Sequence, residues 1–228
     1  MTLGNTLKSF LLSTILLLPL VACGEKAPAP KAISAVDSGI DFMEGVHYAS
    51  FARPILIGTD KSKIEVVEMF WYGCPHCFRL EPSLNKWKKD LPSDVEFISL
   101  PSVLNPGWAL HAKAFFAMEM MGVADKLHEP FFKALHEQGR NLNSEAAILR
   151  FAESVGVDGK KLKTAMNSLP VDKKVREANR LGNEYGLTGV PSLMIAGKYK
   201  LLSGGTASYE EQFQLVDFLI NKERAARK

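Results

Sequence analysis

The segment IEVVEMFWYGCPHC (64–77) constrains this chain more than any other. IEVVEMFWY (64–72) is β-branched and aromatic, nearly all apolar, and follows a polar turn at 58–63, as expected for a strand buried on both faces of a sheet. From Pro75 the period changes. Cys77, Leu80, Leu84 and Trp87 or Lys88 recur every three to four residues, which predicts a helix to about Asp90 with Glu81 and Lys86 to Lys89 facing outward. Pro82 lies inside that helix and is expected to kink it. VEFISLPSV (95–103) returns as a second buried strand, so the unit is βαβ and the fold class is α/β.

The segments around this unit are of two kinds. HYASFARPILI (47–57) reads as an extended piece in which Pro54 argues for an edge strand or a loop. From about Pro106 to Leu169 the chain is helical in character. WALHAKAFFAMEMMG (108–122) sets Trp108, Phe115, Met118 and Met120 or Met121 on one face, ADKLHEPFFKALHEQ (124–138) follows, and SEAAILRFAESVG (144–156) ends at a C-cap glycine, Gly156. A short helix over 158–168 completes an inserted helical subdomain. VDKKVREANRLGNEYG (171–186) is a further helix closed by Gly186. VPSLMI and KYKLL flank an Ala-Gly turn and read as a β-hairpin, and 209–224 is a terminal amphipathic helix.

The first residues do not belong to the folded body. FLLSTILLLPL (10–20), after Lys8, is too short to span a bilayer as a mature helix and has the length of a signal-peptide core. Leu20-Val21-Ala22-Cys23-Gly24 resembles the lipobox of bacterial lipoproteins, in which Cys23 is lipidated and becomes the new N-terminus. EKAPAPKA (25–32) carries no apolar periodicity and reads as a tether. The expected organisation is a lipoprotein-type signal peptide (1–22), lipidated cysteine and tether (23–40), a first fold segment (41–105), the helical insertion (106–170) and a second fold segment (171–228). A net charge of +3 over 228 residues, with both signs interleaved, gives no nucleic-acid signature.

Three cysteines are present, and lipidation of Cys23 leaves Cys74 and Cys77 alone. A bridge between them closes so short a loop that it removes little unfolded-state entropy, so reactivity explains the pair better than cross-linking. Zinc needs four ligands, and His47, His111, His128 and His136 show no ligand-like clustering near a second cysteine, so no metal site is expected. Thiol chemistry requires a thiolate. If the helix begins at Cys74, its sulfur lies over unpaired N–H groups and the positive end of the helix dipole. Pro75 fits the first helical position, and a protonated His76 adds positive charge. Cys77, one turn further in, is more buried and placed to resolve a mixed disulfide.

EMFWYGCPHCFRLE (68–81) and TGVPSLMI (188–195), with a helical stretch of matching size between them, resemble the DsbA family of bacterial periplasmic thiol:disulfide oxidoreductases. The resemblance implies a thioredoxin-like fold with an inserted helical subdomain, Cys74 as the attacking thiolate and Cys77 as the resolving thiol. It implies that Pro191 is a cis-proline facing the pair and that Val190 offers backbone groups to an extended substrate. From the residues alone, Pro191 is equally an edge-strand or turn proline. Glu68 matches the family's buried acid, a proton acceptor for Cys77, against an edge-facing strand glutamate. Glu81 matches a second acid that tunes the pair, against a solvated helix face. Trp71, Phe115, Phe116, Met118, Met120 and Met121 either line an apolar peptide groove or pack the core.

The expected protein is therefore a periplasmic, lipid-anchored, monomeric dithiol oxidase without metal or organic cofactor. Its partners would be reduced exported polypeptides and a DsbB-like membrane quinone reductase. The alternatives are a reductase or isomerase of the same fold, or a peptide-binding lipoprotein or chaperone. The family's better-known members are soluble, so the lipobox is a departure from their pattern.

Overall fold

The computed structural model describes residues 39–58 and 60–227. The signal segment, Cys23 and nearly all of the tether lie outside the described residues. Strands β1 (Tyr48–Ser50), β2 (Ile64–Phe70), β3 (Val95–Pro101), β4 (Ser192–Ile195) and β5 (Tyr199–Leu201) form one sheet in the order β1-β5-β4-β2-β3. β2 and β3 run parallel, and the other neighbours run antiparallel.

β2 is buried at all seven positions because both its faces are covered. Ile64 and Val66 pack with Leu80 and Leu84 of helix α1 (Pro75–Lys88) and with Val216 and Leu219 of helix α7 (Tyr209–Ala226). Val67 and Met69 join the larger core with Ala178 and Leu181 of helix α6 (Leu169–Glu184). β3 departs from the sequence expectation. It stops at Pro101 and is only half-buried from Glu96 to Ser99, because it is an edge strand with a neighbour on one side alone.

β2 ends at Phe70, two residues before the apolar run does. The chain turns there, with the Cys74 N–H donating to the Trp71 carbonyl (2.9 Å). Gly73 is needed in that turn, since a Cβ at this position would lie 2.3 Å from the Trp71 ring, and that ring is held by stacking on Trp108 at 4.3 Å. Cys74 is the N-cap of α1 with extended backbone, and Pro75 opens the first turn.

Between β3 and β4 lie a 3-10 turn (Pro106–Trp108), α2 (Ala109–Met120), α3 (Ala124–His136), α4 (Glu145–Ser154), α5 (Gly159–Met166) and α6. Side-chain caps set several of their starts: Ser144 accepts from the Ala147 N–H, Asp158 from Lys161, and Ser168 from Val171. The Ser168 cap, with Pro170 in the first turn, explains why α6 begins at 169 rather than 171. α2 does not carry a single apolar stripe. His111, Ala112 and Ala114 through Met118 are all buried because neighbours enclose the helix, whereas Met120 at its end is exposed. β4 and β5 are joined by Ala196-Gly197, both at positive φ. Gly197 accepts the Ile55 N–H at 2.9 Å, and a Cβ there would meet the Ile55 carbonyl oxygen at 2.4 Å.

Candidate active site

The strand end, the N-terminus of α1 and the segment before β4 converge on Cys74. In its protonated form the Cys74 thiol donates to the Val190 carbonyl at 3.3 Å, and the Val190-Pro191 peptide bond is cis. Ser192 Oγ donates to the Gly189 carbonyl at 2.8 Å and ties this loop to itself. His76, Gly189, Val190, Pro191 and Tyr209 line an open cleft of about 880 Å³ beside the sulfur. Backbone groups of an extended chain lying there would meet the loop before β4.

The two thiols of the reduced pair differ sharply. Donation from the Cys77 thiol is the largest cause that lowers Cys74, and burial opposes it. The backbone N–H groups of Cys77 and His76 add to the lowering, and the charge of His76 contributes least, so that the Cys74 pKa falls from 9.0 to about 6. Cys77 is fully buried, and desolvation pushes its thiol far above the ordinary range, helped by its donation to Cys74 and by the charge of Glu68. Arg79 Nη2 lies 2.9 Å from His76 Nδ1, and a guanidinium can only donate, so Nδ1 is the acceptor in this contact.

Beneath the pair lie two carboxyls. Glu68, on β2, is fully buried, and among the described residues neither of its oxygens has a hydrogen-bond partner. Desolvation first, then the charges of Glu81 and Cys74, raise its pKa well above the ordinary carboxyl value, with Lys88 acting in the opposite sense. The Glu81 side chain does not face outward from α1. It is 5% exposed because α3 covers that side of the helix, and its oxygens accept from Asn85 Nδ2 (3.2 Å) and face His128 Nε2 (3.4 Å).

The structure thus gathers Cys74, Pro75, His76, Val190 and Pro191 at one mouth, with Cys77 buried one turn deeper and Glu68 and Glu81 on the floor behind it. Phe115, Phe116 and Met118 are core residues, Trp71 and Met121 are half-buried, and Met120 is exposed at the end of α2. Sequence reasoning gave no role to the histidines of the insertion. His128 Nδ1 lies 2.8 Å from the Tyr72 hydroxyl, and His136 Nε2 donates to the Tyr72 carbonyl at 2.8 Å. The available signal was spacing: His128, Phe131, Phe132 and His136 fall on one face of α3, and that face meets Tyr72 and α1.

Residues 97–214 match the family model of the DSBA-like thioredoxin domain. The chain is 37% identical over 188 residues to the thiol:disulfide interchange protein DsbA of Pseudomonas aeruginosa PAO1, covering 82% of this chain and 89% of that one. It is 34% identical over 209 residues to the protein of the same name from Pseudomonas syringae pv. tomato, with 92% and 94% covered. The crystal structure of Pseudomonas aeruginosa DsbA superposes with a TM-score of 0.78 at 36% identity, over 82% of this chain and 96% of that one. The oxidoreductase NmDsbA1 of Neisseria meningitidis gives 0.72 at 27% identity, over 81% and 95%. With the cysteine pair, the facing cis-proline and the helical insertion on one scaffold, the chain belongs to the DsbA family of thiol:disulfide oxidoreductases.

Proposed function

We propose that this protein donates the Cys74–Cys77 disulfide to folding exported polypeptides. The observation that carries this reading is the contrast at the pair: Cys74 is held as a thiolate at the helix N-terminus with a pKa of about 6. A stabilised thiolate favours the reduced enzyme, and the disulfide is correspondingly a strong oxidant.

A substrate thiolate attacks Cys74 Sγ, and the S–S bond breaks with its electron pair leaving on Cys77. Cys77 is a poor anion in its dry surroundings, and the carboxyl proton of Glu68 neutralises it as it leaves. A second substrate thiolate then attacks the substrate sulfur of the mixed disulfide and expels Cys74 as a thiolate. The substrate has lost two electrons and the enzyme pair has gained them. A quinone-linked membrane partner of the DsbB type takes those electrons and restores the disulfide. The two sulfurs carry the whole exchange, so the cycle uses neither metal nor organic cofactor. Val190 supplies backbone groups to the substrate chain beside Pro191, and Pro75 and His76 tune Cys74 through the helix start.

Among the described residues no helix is long and apolar enough to cross a membrane. Attachment would come from lipidation of Cys23 in the lipobox, with a monomeric body carried on the tether. Metabolic labelling with a fatty-acid analogue tests this, and a Cys23→Ser variant should lose both label and membrane association.

The catalytic reading is tested by disulfide transfer to a reduced model protein together with the redox equilibrium against glutathione. The Cys74→Ser variant should lose transfer by on the order of 10³-fold or more. Transfer that survives the substitution rejects the oxidase, and client binding without transfer by the wild type would favour the chaperone.

A further inference from the structure

Two carboxyls share the buried floor, and only one is furnished with donors. Glu81 receives Asn85 Nδ2 and faces His128 Nε2, whereas Glu68 has no partner among the described residues. The tautomer of His128 follows from its other contact. The Tyr72 side chain is 1% exposed, and among the described residues its hydroxyl has one hydrogen bond, to His128 Nδ1 at 2.8 Å. A buried phenol must place its proton somewhere, and here Nδ1 is the acceptor. The ring proton is then on Nε2, aimed at Glu81 Oε1. Were both ring nitrogens protonated, the Tyr72 O–H would be left without an acceptor.

We propose that His128 is a positioning residue for the dithiol exchange. Fixed by Tyr72, it directs Nε2–H onto Glu81, so that the negative charge of the two-carboxyl floor rests on Glu81 and the proton rests on Glu68, beside Cys77.

The surroundings of each group fit this division. Hydrogen bonds to a charged oxygen are about twice as strong as neutral ones, so donors select the carboxyl that ionises. Like charges at close range disfavour a second ionisation, and burial raises the Glu68 carboxyl further. Burial acts most strongly on Glu68, followed by the charges of Glu81 and Lys88 of α1 and of Cys74 in the active-site turn. Burial first, then the charges of Glu81 and of Glu119 on α2, keep the Tyr72 hydroxyl protonated. The rings of Phe70, Phe115 and Phe132 pack against His128, whose side chain is 20% exposed. These aromatic contacts hold the plane of the imidazole. The connection joins groups 47 and 56 residues apart, so α3 of the insertion is wired directly to the floor of the dithiol site.

The inference rests on the oxidase reading only for its rate consequence, and the protonation of Glu68 can be read without any turnover. Infrared difference spectroscopy of the full protein at neutral pH detects a protonated buried carboxyl, assigned to Glu68 by its loss in Glu68→Gln. His128→Phe, which keeps an aromatic ring and removes the donor, should lose at least about half of that band as the proton redistributes to Glu81. Reduction of the oxidised enzyme by a dithiol peptide should slow about tenfold and change its pH profile. His128→Gln, which can still accept from Tyr72 and donate to Glu81, should restore both readouts. Tyr72→Phe, which releases Nδ1, should shift the band in the same direction as His128→Phe and gives a second test should that variant fold poorly. An unchanged band and pH profile in His128→Phe and Tyr72→Phe would overturn the proposal. Failure of the wild type to transfer its disulfide, with the band responding as described, would reject the oxidase reading and leave this one standing.

Discussion

Cys74 and Cys77 share one helix turn, yet the protein treats them as opposite kinds of sulfur. Cys74 is the N-cap of α1, beside the open cleft, with unpaired backbone donors and the Cys77 thiol directed to it. Cys77 is fully buried one turn deeper, over a carboxyl without a partner. Identical side chains therefore ionise differently because one receives the Cys77 thiol and the backbone donors of a helix start, while the other is desolvated in the interior. An attacking and leaving group that is stable as an anion is paired with one that needs a proton, and that asymmetry gives the exchange its direction.

The contrast is largest in the thiolate populations. A thiolate-absorbance titration of the reduced protein should show Cys74 ionising with a midpoint near 6, while Cys77 stays protonated through the whole accessible range. Alkylation at pH 7 should accordingly modify Cys74 and spare Cys77. The stability consequence has a definite sign. The Cys74 pKa is depressed in the folded state, so its contribution is fully present above the ordinary value of 9.0 and is lost as pH falls through about 6. Unfolding of the reduced protein should thus become easier relative to the oxidised protein between those limits. A Cys74 midpoint at the ordinary thiol value would erase the comparison and remove the basis for a strong oxidant.

A second way to break the contrast is to dry the floor completely. Glu68 carries a polar group into the sheet with no hydrogen bond among the described residues, at a cost of about 1–3 kcal/mol. Glu68→Leu should therefore raise the thermal unfolding midpoint of the protein. The same change removes the proposed proton source for Cys77 and should slow disulfide transfer about tenfold, chiefly in the step where Cys77 leaves. Calorimetry and single-turnover kinetics on the same preparation decide the matter, since a loss of stability together with unchanged kinetics would make Glu68 an ordinary core residue.

Much of this asymmetry was readable before any fold was known, and what escaped did so for a physical reason. The change from a strand-like run to helical spacing at Gly73 locates the cysteine pair at a strand-to-helix junction, because both periods are local properties. The outward placement of Glu81 was wrong: Cys77, Leu80, Glu81 and Leu84 fall at i, i+3, i+4 and i+7 on one face of α1, and that face is buried whatever the polarity of the residue on it. The spacing of His128 placed it on the inner face of α3 but did not name its partners, since Tyr72 and Glu81 arrive from another part of the chain. α2 misled in the opposite sense: a helix enclosed by neighbours is apolar nearly all round and presents no single stripe. Edge strand β3 read as buried because its apolar residues resemble those of β2, and composition alone does not say how many neighbours a strand has.

The finest test of the contrast lies within the dipeptide between the cysteines. His76 acts on Cys74 in two ways, through its backbone N–H and through the charge of its ring, and the ring charge is the smallest of the lowering causes. His76→Ala keeps the backbone donor, Pro75 and the helix start, so the Cys74 midpoint should rise by only a few tenths of a pH unit. The redox equilibrium against glutathione should move only a few-fold toward the disulfide form. Transfer to a peptide should suffer mainly through the cleft, because His76 is part of its wall. A rise to near 9 would mean that the imidazolium, rather than the helix start and the Cys77 thiol, holds the thiolate, and the helix-based account of Cys74 would then fail.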